Sequence, residues 1–158
     1  KNTQKYRKIA LEWHNRQIIL PTRLPDKGIC CDTLYPVLTT KKYKIFTYID
    51  TLGCTACNFG ALALKQLIHE TDSLNYDVAL LFYAHLKNYE EFETYLEINK
   101  FSYPIFYDYK GECNKQNKLP QHVFYQTFLL DENNKVLLIG KPTPGSNLWN
   151  LYKKIISQ

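Results

Sequence analysis

The first apolar pattern is helical. In "NTQKYRKIALEWHNRQ", Tyr6, Ile9, Ala10 and Trp13 recur at i, i+3, i+4 and i+7, with polar residues between. The next stretch, "PTRLPDKGICCDTLYP", has no period and several prolines, and predicts a loop. From Tyr43 the pattern alternates between types. "YKIFTYI" predicts a strand that runs on to Gly53. Cys54 to about Glu70 predicts a buried helix, apolar around most of its circumference. "DVALLFYA" is a continuous apolar run, as expected of a strand covered on both faces. "NYEEFETYLEINK" predicts a helix with Asn88 as N-cap and Tyr89, Phe92 and Leu96 inward. "YPIFYD" predicts a short strand, and "QTFLLDENNKVLLIGK" a hairpin around "DENNK". Ser146 can cap a last helix whose inner face would carry Leu148, Leu151, Tyr152 and Ile155.

The resulting order is β-α-β-α-β, a short connector, then β-β-α. Early alternation gives parallel strands joined by crossover helices, and the hairpin adds antiparallel ones. The expected fold class is therefore α/β, a mixed sheet flanked by helices. Residues 1–40 form an N-terminal helical extension packed on a main domain of residues 41–158. No internal repeat or low-complexity segment interrupts the chain.

Composition narrows the class. Of 158 residues, 45% are hydrophobic and 22% charged, which argues against disorder and for a real core. The net charge of +5 comes from 20 Lys and Arg against 15 Asp and Glu. These do not gather on one stretch, so a solvated basic surface is expected rather than nucleic-acid binding. No apolar run reaches the ~18 residues of a membrane span. The chain begins at Lys1 and contains no Met, the expectation for a processed or trimmed chain such as signal-peptide removal leaves.

The candidate chemistry lies in five cysteines, Cys30, Cys31, Cys54, Cys57 and Cys113. Cys54 and Cys57 form a C-x-x-C between a strand and a helix in a βαβ frame, the setting of a redox pair. Sulfurs three residues apart in one helical turn can join with little backbone movement. At a helix N-terminus, unpaired N–H groups and the dipole favour thiolate over thiol. Cys54 would attack and Cys57 would resolve the mixed disulfide. Zinc uses the same spacing but needs further ligands, and apart from adjacent Cys30 and Cys31 no second paired motif exists. Two inert buried thiols are the remaining reading. "TLGC" matches only half of a peroxiredoxin pattern, with Thr47 where its proline would fall. Cys30 and Cys31 are not expected to bond to each other. One of them could pair with Cys113, or all three could be plain buried thiols. His122 could assist copper handling, and His85 could neighbour Cys54; a capping or loop role is the simpler expectation for each. The aromatic run "FSYPIFYDY" fills the core or lines a peptide groove.

"YIDTLGCTACNFGALALKQL", "FYQTFLLDENNKVLLIGKPT" and a C-terminal helix resemble the thioredoxin-like fold. "FLLDENNKVL" is similar to the "TFLIDxxGxI" hairpin of its exported TlpA/ResA branch. With "EWHNRQIILP" and "LWNLYKKII", the chain resembles thioredoxin-like envelope lipoproteins of Bacteroides-type bacteria from Glu12 onward. The resemblance implies an exported thiol-disulfide oxidoreductase, periplasmic or membrane-anchored, with a possible lipid anchor upstream. Its partners would be a protein thiol or disulfide substrate and an electron-donor thiol protein. Cys54 takes the nucleophile position and Cys57 the resolving one. A monomer is expected, and no flavin or nicotinamide fingerprint calls for a cofactor. Three positions depart from the family pattern. Gly53 replaces an aromatic, and Tyr48 replaces a buried acid. Phe124 or Tyr125 stands where a cis-proline would, Pro120 being too early. A non-proline cis bond costs ~2.5–4 kcal/mol, so a trans turn is expected there. Without the proline, substrate docking would differ and metal affinity would rise. The alternative is thus a non-catalytic thioredoxin-fold binding module, with Cu or Zn held by Cys54 and Cys57.

Overall fold

A computed structural model of the chain describes residues 2–21, 34–50 and 59–158. Its described strands are β1 (Tyr43–Ile49), β2 (Val78–Ala84), β3 (Phe106–Tyr107), β4 (Thr127–Leu130) and β5 (Val136–Ile139). Its described helices are α1 (Asn2–Trp13), α2 (Leu34–Thr39), α3 (Ala61–Ser73), α4 (Tyr89–Ile98), α5 (Glu112–Asn117) and α6 (Asn147–Ile156). A 3-10 turn, Val123–Gln126, leads into β4.

The strands form one sheet in the order β3-β2-β1-β4-β5. β1 runs parallel to β2 and antiparallel to β4. The sheet is mixed, as the alternation followed by a hairpin predicted. β1 lies at its centre, and its carboxyl end shares an edge of the sheet with the start of β4.

Strand side chains alternate between faces. Ile45 and Ile49 of β1 join Leu80, Phe82 and Leu129 in a core closed by α3, α4 and α6. Phe46 and Tyr48 join Leu81, Tyr83, Phe128 and Leu130 in a second core closed by α1, α2 and α5. This double cover explains the unbroken apolar run of β2.

The stripe on α1 is used as its spacing predicts. Trp13 is buried, its ring 5.1 Å from that of Phe128, and the Tyr6 hydroxyl donates to the Ile139 carbonyl at 2.8 Å. A bridge from Gln17 to Lys135 pairs the chain after α1 with β5, covering the edge strand. Asn88 caps α4 by accepting from the Glu91 N–H at 3.0 Å, and Ser146 caps α6 by accepting from Trp149 at 3.1 Å. Replacing Asn88 with alanine is expected to lower stability by about 1 kcal/mol, read from urea unfolding, because one helix N–H loses its acceptor.

Four expectations need correction. Leu34–Pro36 belongs not to a loop but to α2, where Pro36 sits in the first turn and sacrifices no helical hydrogen bond. The connector holds α5 and the 3-10 turn. On α6 the buried residues are Trp149, Tyr152 and Ile156, while Leu151 is 50% exposed. The helix is turned so that its largest ring is buried, with Trp149 Nε1 donating to Glu70 at 2.9 Å. Finally, no continuous helix joins Cys54 to Glu70. Gly60 has a left-handed φ of 68°, and α3 begins after it at Ala61.

Candidate functional site

The candidate site is the carboxyl edge of the sheet beside β1. Cys54 and Cys57, with Gly53, fall in residues 51–58, outside the described residues. Cys30 and Cys31 also lie outside them, and so does either pairing considered for Cys113. The structure brings together what borders residues 51–58 at each end.

On the entry side, β1 ends at Ile49 and Asp50 follows. Gln126 Nε2 donates to Asp50 Oδ2 at 2.8 Å and to the Pro120 carbonyl at 3.0 Å. One amide thereby ties the turn ahead of β4 to the end of β1. The hydroxyls of Thr47 and Thr127 reinforce the pairing at 3.2 Å. Peptide bonds are trans throughout the described residues, including those of Phe124 and Tyr125. That agrees with the expectation for a turn lacking proline there.

On the exit side, the Phe59 ring sits 5.0 Å from Phe101, 5.3 Å from Phe92 and 5.6 Å from Phe82. Its carbonyl accepts from Lys141 Nζ at 3.0 Å. The Tyr95 hydroxyl accepts from the Ala61 N–H at 3.1 Å, satisfying one of the open donors at the start of α3. Lys141 is partly buried, and loss of hydration lowers its pKa from 10.5.

Beneath the edge lie Tyr48 and Cys113. Tyr48, on the strand just ahead of Asp50, is 2% exposed. Burial first, then the charge of Asp108, raises its hydroxyl pKa, so it stays neutral. Tyr48 Oη and Gln126 Oε1 have no hydrogen-bond partner among the described residues. Cys113 is fully buried and has no disulfide partner among the described residues, with Asn117 Nδ2 3.7 Å from its Sγ. Burial pushes its pKa from 9.0 to about 12, with Asp108 adding to the rise. It is therefore expected to resist iodoacetamide at about pH 8 until the chain unfolds, as mass spectrometry of alkylated protein would report. The unfolded thiol ionises near 9.0 and the folded one near 12, so the folded state holds the extra proton between them. The stability from Cys113 is full below pH 9 and declines from there to about pH 12.

Both candidate histidines have structural partners. His122 Nδ1 accepts from the Phe124 N–H at 3.2 Å and caps the 3-10 turn, as the simpler expectation held. His85 Nδ1 lies 2.9 Å from the Asp108 carbonyl at the end of β2. Sequence reasoning missed Gln126 and Lys141. Nothing local marks either one, since each reaches the site through the fold. A cavity of about 480 Å³ opens beside the 3-10 turn, lined by Thr3, Lys5, Tyr6, His122, Phe124 and Tyr125.

No protein-family model matches the sequence, and no curated protein matches it. Solved structures do. StoA from Bacillus subtilis superposes with a TM-score of 0.55 at 21% identity, over 72% of this chain and 82% of its own. A thiol:disulfide interchange protein from a Bacteroides species gives 0.56 at 15%, over 76% of each chain. The peroxidoxin BcpB from Mycobacterium tuberculosis gives 0.58 at 15%, over 91% of this chain and 94% of its own. Identities this low speak to architecture alone. The mixed five-stranded sheet flanked by helices superposes on these neighbours, and the chain has the thioredoxin-like fold.

Proposed function

We propose that the protein is a thiol-disulfide oxidoreductase acting on protein substrates through Cys54 and Cys57. The observation that carries this reading is the placement of the C-x-x-C sequence directly after the central strand of a thioredoxin-like sheet. Open α/β sheets bind their ligands at the carboxyl ends of such strands. One of the neighbours named above, the Bacteroides protein, bears a thiol:disulfide interchange name, which is in keeping with the reading.

In the reductive direction, the Cys54 thiolate attacks one sulfur of a substrate disulfide. A Cys54–substrate disulfide forms, and the other substrate sulfur leaves as a thiolate that takes a proton. The Cys57 thiolate then attacks Cys54 Sγ, and the second substrate thiol departs protonated. Two electrons have reached the substrate, and Cys54 and Cys57 share a disulfide. An electron-donor thiol protein reverses that oxidation. The cavity beside the 3-10 turn, with its aromatic wall, would receive part of the substrate chain. Residues 1–40 act as an extension of the domain of residues 41–158. The protein works as an exported monomer in the bacterial envelope, with a lipid anchor upstream of Lys1.

A second reading follows from Phe124 and Tyr125 in the trans turn. A thioredoxin-fold binding module without turnover would hold Cu or Zn at the same cysteines. A thiol-trapping redox titration separates the two. A reversible Cys54–Cys57 disulfide with a potential of about −120 to −270 mV supports exchange. A pair that never oxidises, or that stays oxidised under strong reductant, sinks it. Spectroscopy after adding Cu(I) or Zn(II) then tests the binding module.

A further inference from the structure

We propose that the cavity beside the 3-10 turn is a docking site for an acidic segment of a partner protein, in which a carboxylate sits next to an aromatic or aliphatic side chain. The inference deepens the reading above by naming the kind of chain the cavity takes, and it needs nothing from residues 51–58. The cavity holds about 480 Å³, within the range of about 300–1,000 Å³ usual for ligand pockets. Two elements far apart in sequence build it. Thr3, Lys5 and Tyr6 come from α1, while His122, Phe124 and Tyr125 come from the turn ahead of β4 and its cap. The wall is aromatic and firmly set. Tyr6 stands 6.4 Å from both Phe124 and Tyr125, and Phe124 stands 5.2 Å from Tyr125. The Tyr6 hydroxyl is tied to the Ile139 carbonyl at 2.8 Å, and the Phe124 carbonyl accepts from the Lys141 N–H at 2.9 Å. Gly140, at φ 124°, backs the Phe124 ring so closely that a Cβ there would meet it at 3.0 Å.

The polar side of the cavity offers donors and positive charge. Lys5 is exposed and has no ion-pair partner among the described residues. His122 Nδ1 accepts from the Phe124 N–H, so the neutral ring carries its proton on Nε2 and can donate from there. The Thr3 hydroxyl is a further donor. No Asp or Glu lines the cavity. α1 also exposes Arg7 and Lys8, against Glu12 as its one acid. A ligand matched to this set accepts hydrogen bonds, carries negative charge and presents apolar surface to the rings. A carboxylate beside an apolar neighbour meets all three conditions. A basic segment is repelled, and a purely apolar one leaves the ammonium and the donors unmatched. Thr3, Lys5 and His122 are all exposed, so the cavity is a surface recess that a chain can cross rather than a closed chamber for a small molecule.

The test titrates the reduced full chain with end-blocked, cysteine-free peptides that differ at one position, carrying Phe-Glu, Phe-Gln or Phe-Lys, and follows amide NMR shifts. The Phe-Glu peptide is expected to bind about tenfold tighter than the Phe-Lys peptide, with Phe-Gln between them, and to shift amides of α1 and of Val123–Gln126. High salt should erase most of that difference. Lys5→Gln should weaken Phe-Glu binding about twofold to fivefold, the scale of one exposed ion pair, and Lys5→Arg should preserve it. Lys5→Glu should turn the preference toward Phe-Lys. Lys5 is exposed, so these variants are expected to keep the wild-type melting temperature. Equal binding of the three peptides would reduce the cavity to an apolar recess and overturn the inference. A wild-type preference in Lys5→Glu, or shifts confined to other parts of the sheet, would do the same. Phenylpropionate binding as tightly as the Phe-Glu peptide would make the occupant a free carboxylate and overturn the assignment of a partner chain. No peptide here carries a thiol or disulfide, so the redox titration is scored separately. A wild-type chain whose cysteines fail to exchange defeats the oxidoreductase reading, while the peptides still decide what the cavity binds.

Discussion

Serine at Cys54 is expected to lower disulfide exchange by about a thousandfold or more, measured as insulin reduction with a thiol donor. A hydroxyl does not ionise near neutral pH, so the first bond to the substrate sulfur cannot form. Serine at Cys57 should give a different failure. Attack by Cys54 proceeds, release does not, and a covalent Cys54–substrate adduct accumulates that non-reducing gels detect. That asymmetry assigns the two roles. Equal loss in both variants without any adduct would refute the assignment of Cys54 as nucleophile. Activity retained in the Cys54 variant would remove the pair from the mechanism.

Phe82→Ala is expected to have the largest effect on stability. Phe82 is fully buried in β2, and its ring meets Phe59 at 5.6 Å, Tyr103 at 5.8 Å and Phe101 at 6.0 Å. Deleting it should cost about 3–5 kcal/mol, through lost burial and the cavity left behind. For a chain of this size that lowers the melting temperature by about 6 to 20 °C. Calorimetry and urea unfolding read the loss. The change also undermines Phe59, which fixes the exit of the cysteine segment. Exchange activity in the surviving folded fraction should therefore fall as well. Stability loss below about 1 kcal/mol would mean that the core collapses around the gap.

Much of this fold is legible because its strands are short, strongly apolar and well bounded. β1 and β2 alternate or fill both faces as their residues dictate, and "DENNK" supplies the turn of the hairpin. Asn88 and Ser146 announce their helices because a cap is a local event. α5 is not legible, since "ECNKQN" buries only Cys113 and Asn117 and has no apolar stripe. α2 is hidden by Pro36 in its first turn and by the proline-rich stretch before it. The rotation of α6 depends on Trp149 finding Glu70, a contact across 79 residues. The site divides in the same way. The C-x-x-C is visible because both members sit three residues apart. The groups that hold the residues bordering it are not, since Gln126 meets Asp50 across 76 residues and Lys141 meets Phe59 across 82.

The central strand has a consequence for how the protein is made. β1 is the first of the described strands along the chain, and its parallel partner β2 is the next. Its antiparallel partner is much later, with Thr47 facing Thr127 across 80 residues. Until β4 emerges, one side of β1 has open backbone groups, and the strand ending just before Cys54 is only half supported. Closing so long a loop is entropically costly and slows folding relative to a chain of local contacts. The cysteines are thus complete in the nascent chain long before the sheet edge that orders their surroundings. Only docking of the hairpin completes the sheet edge that borders residues 51–58.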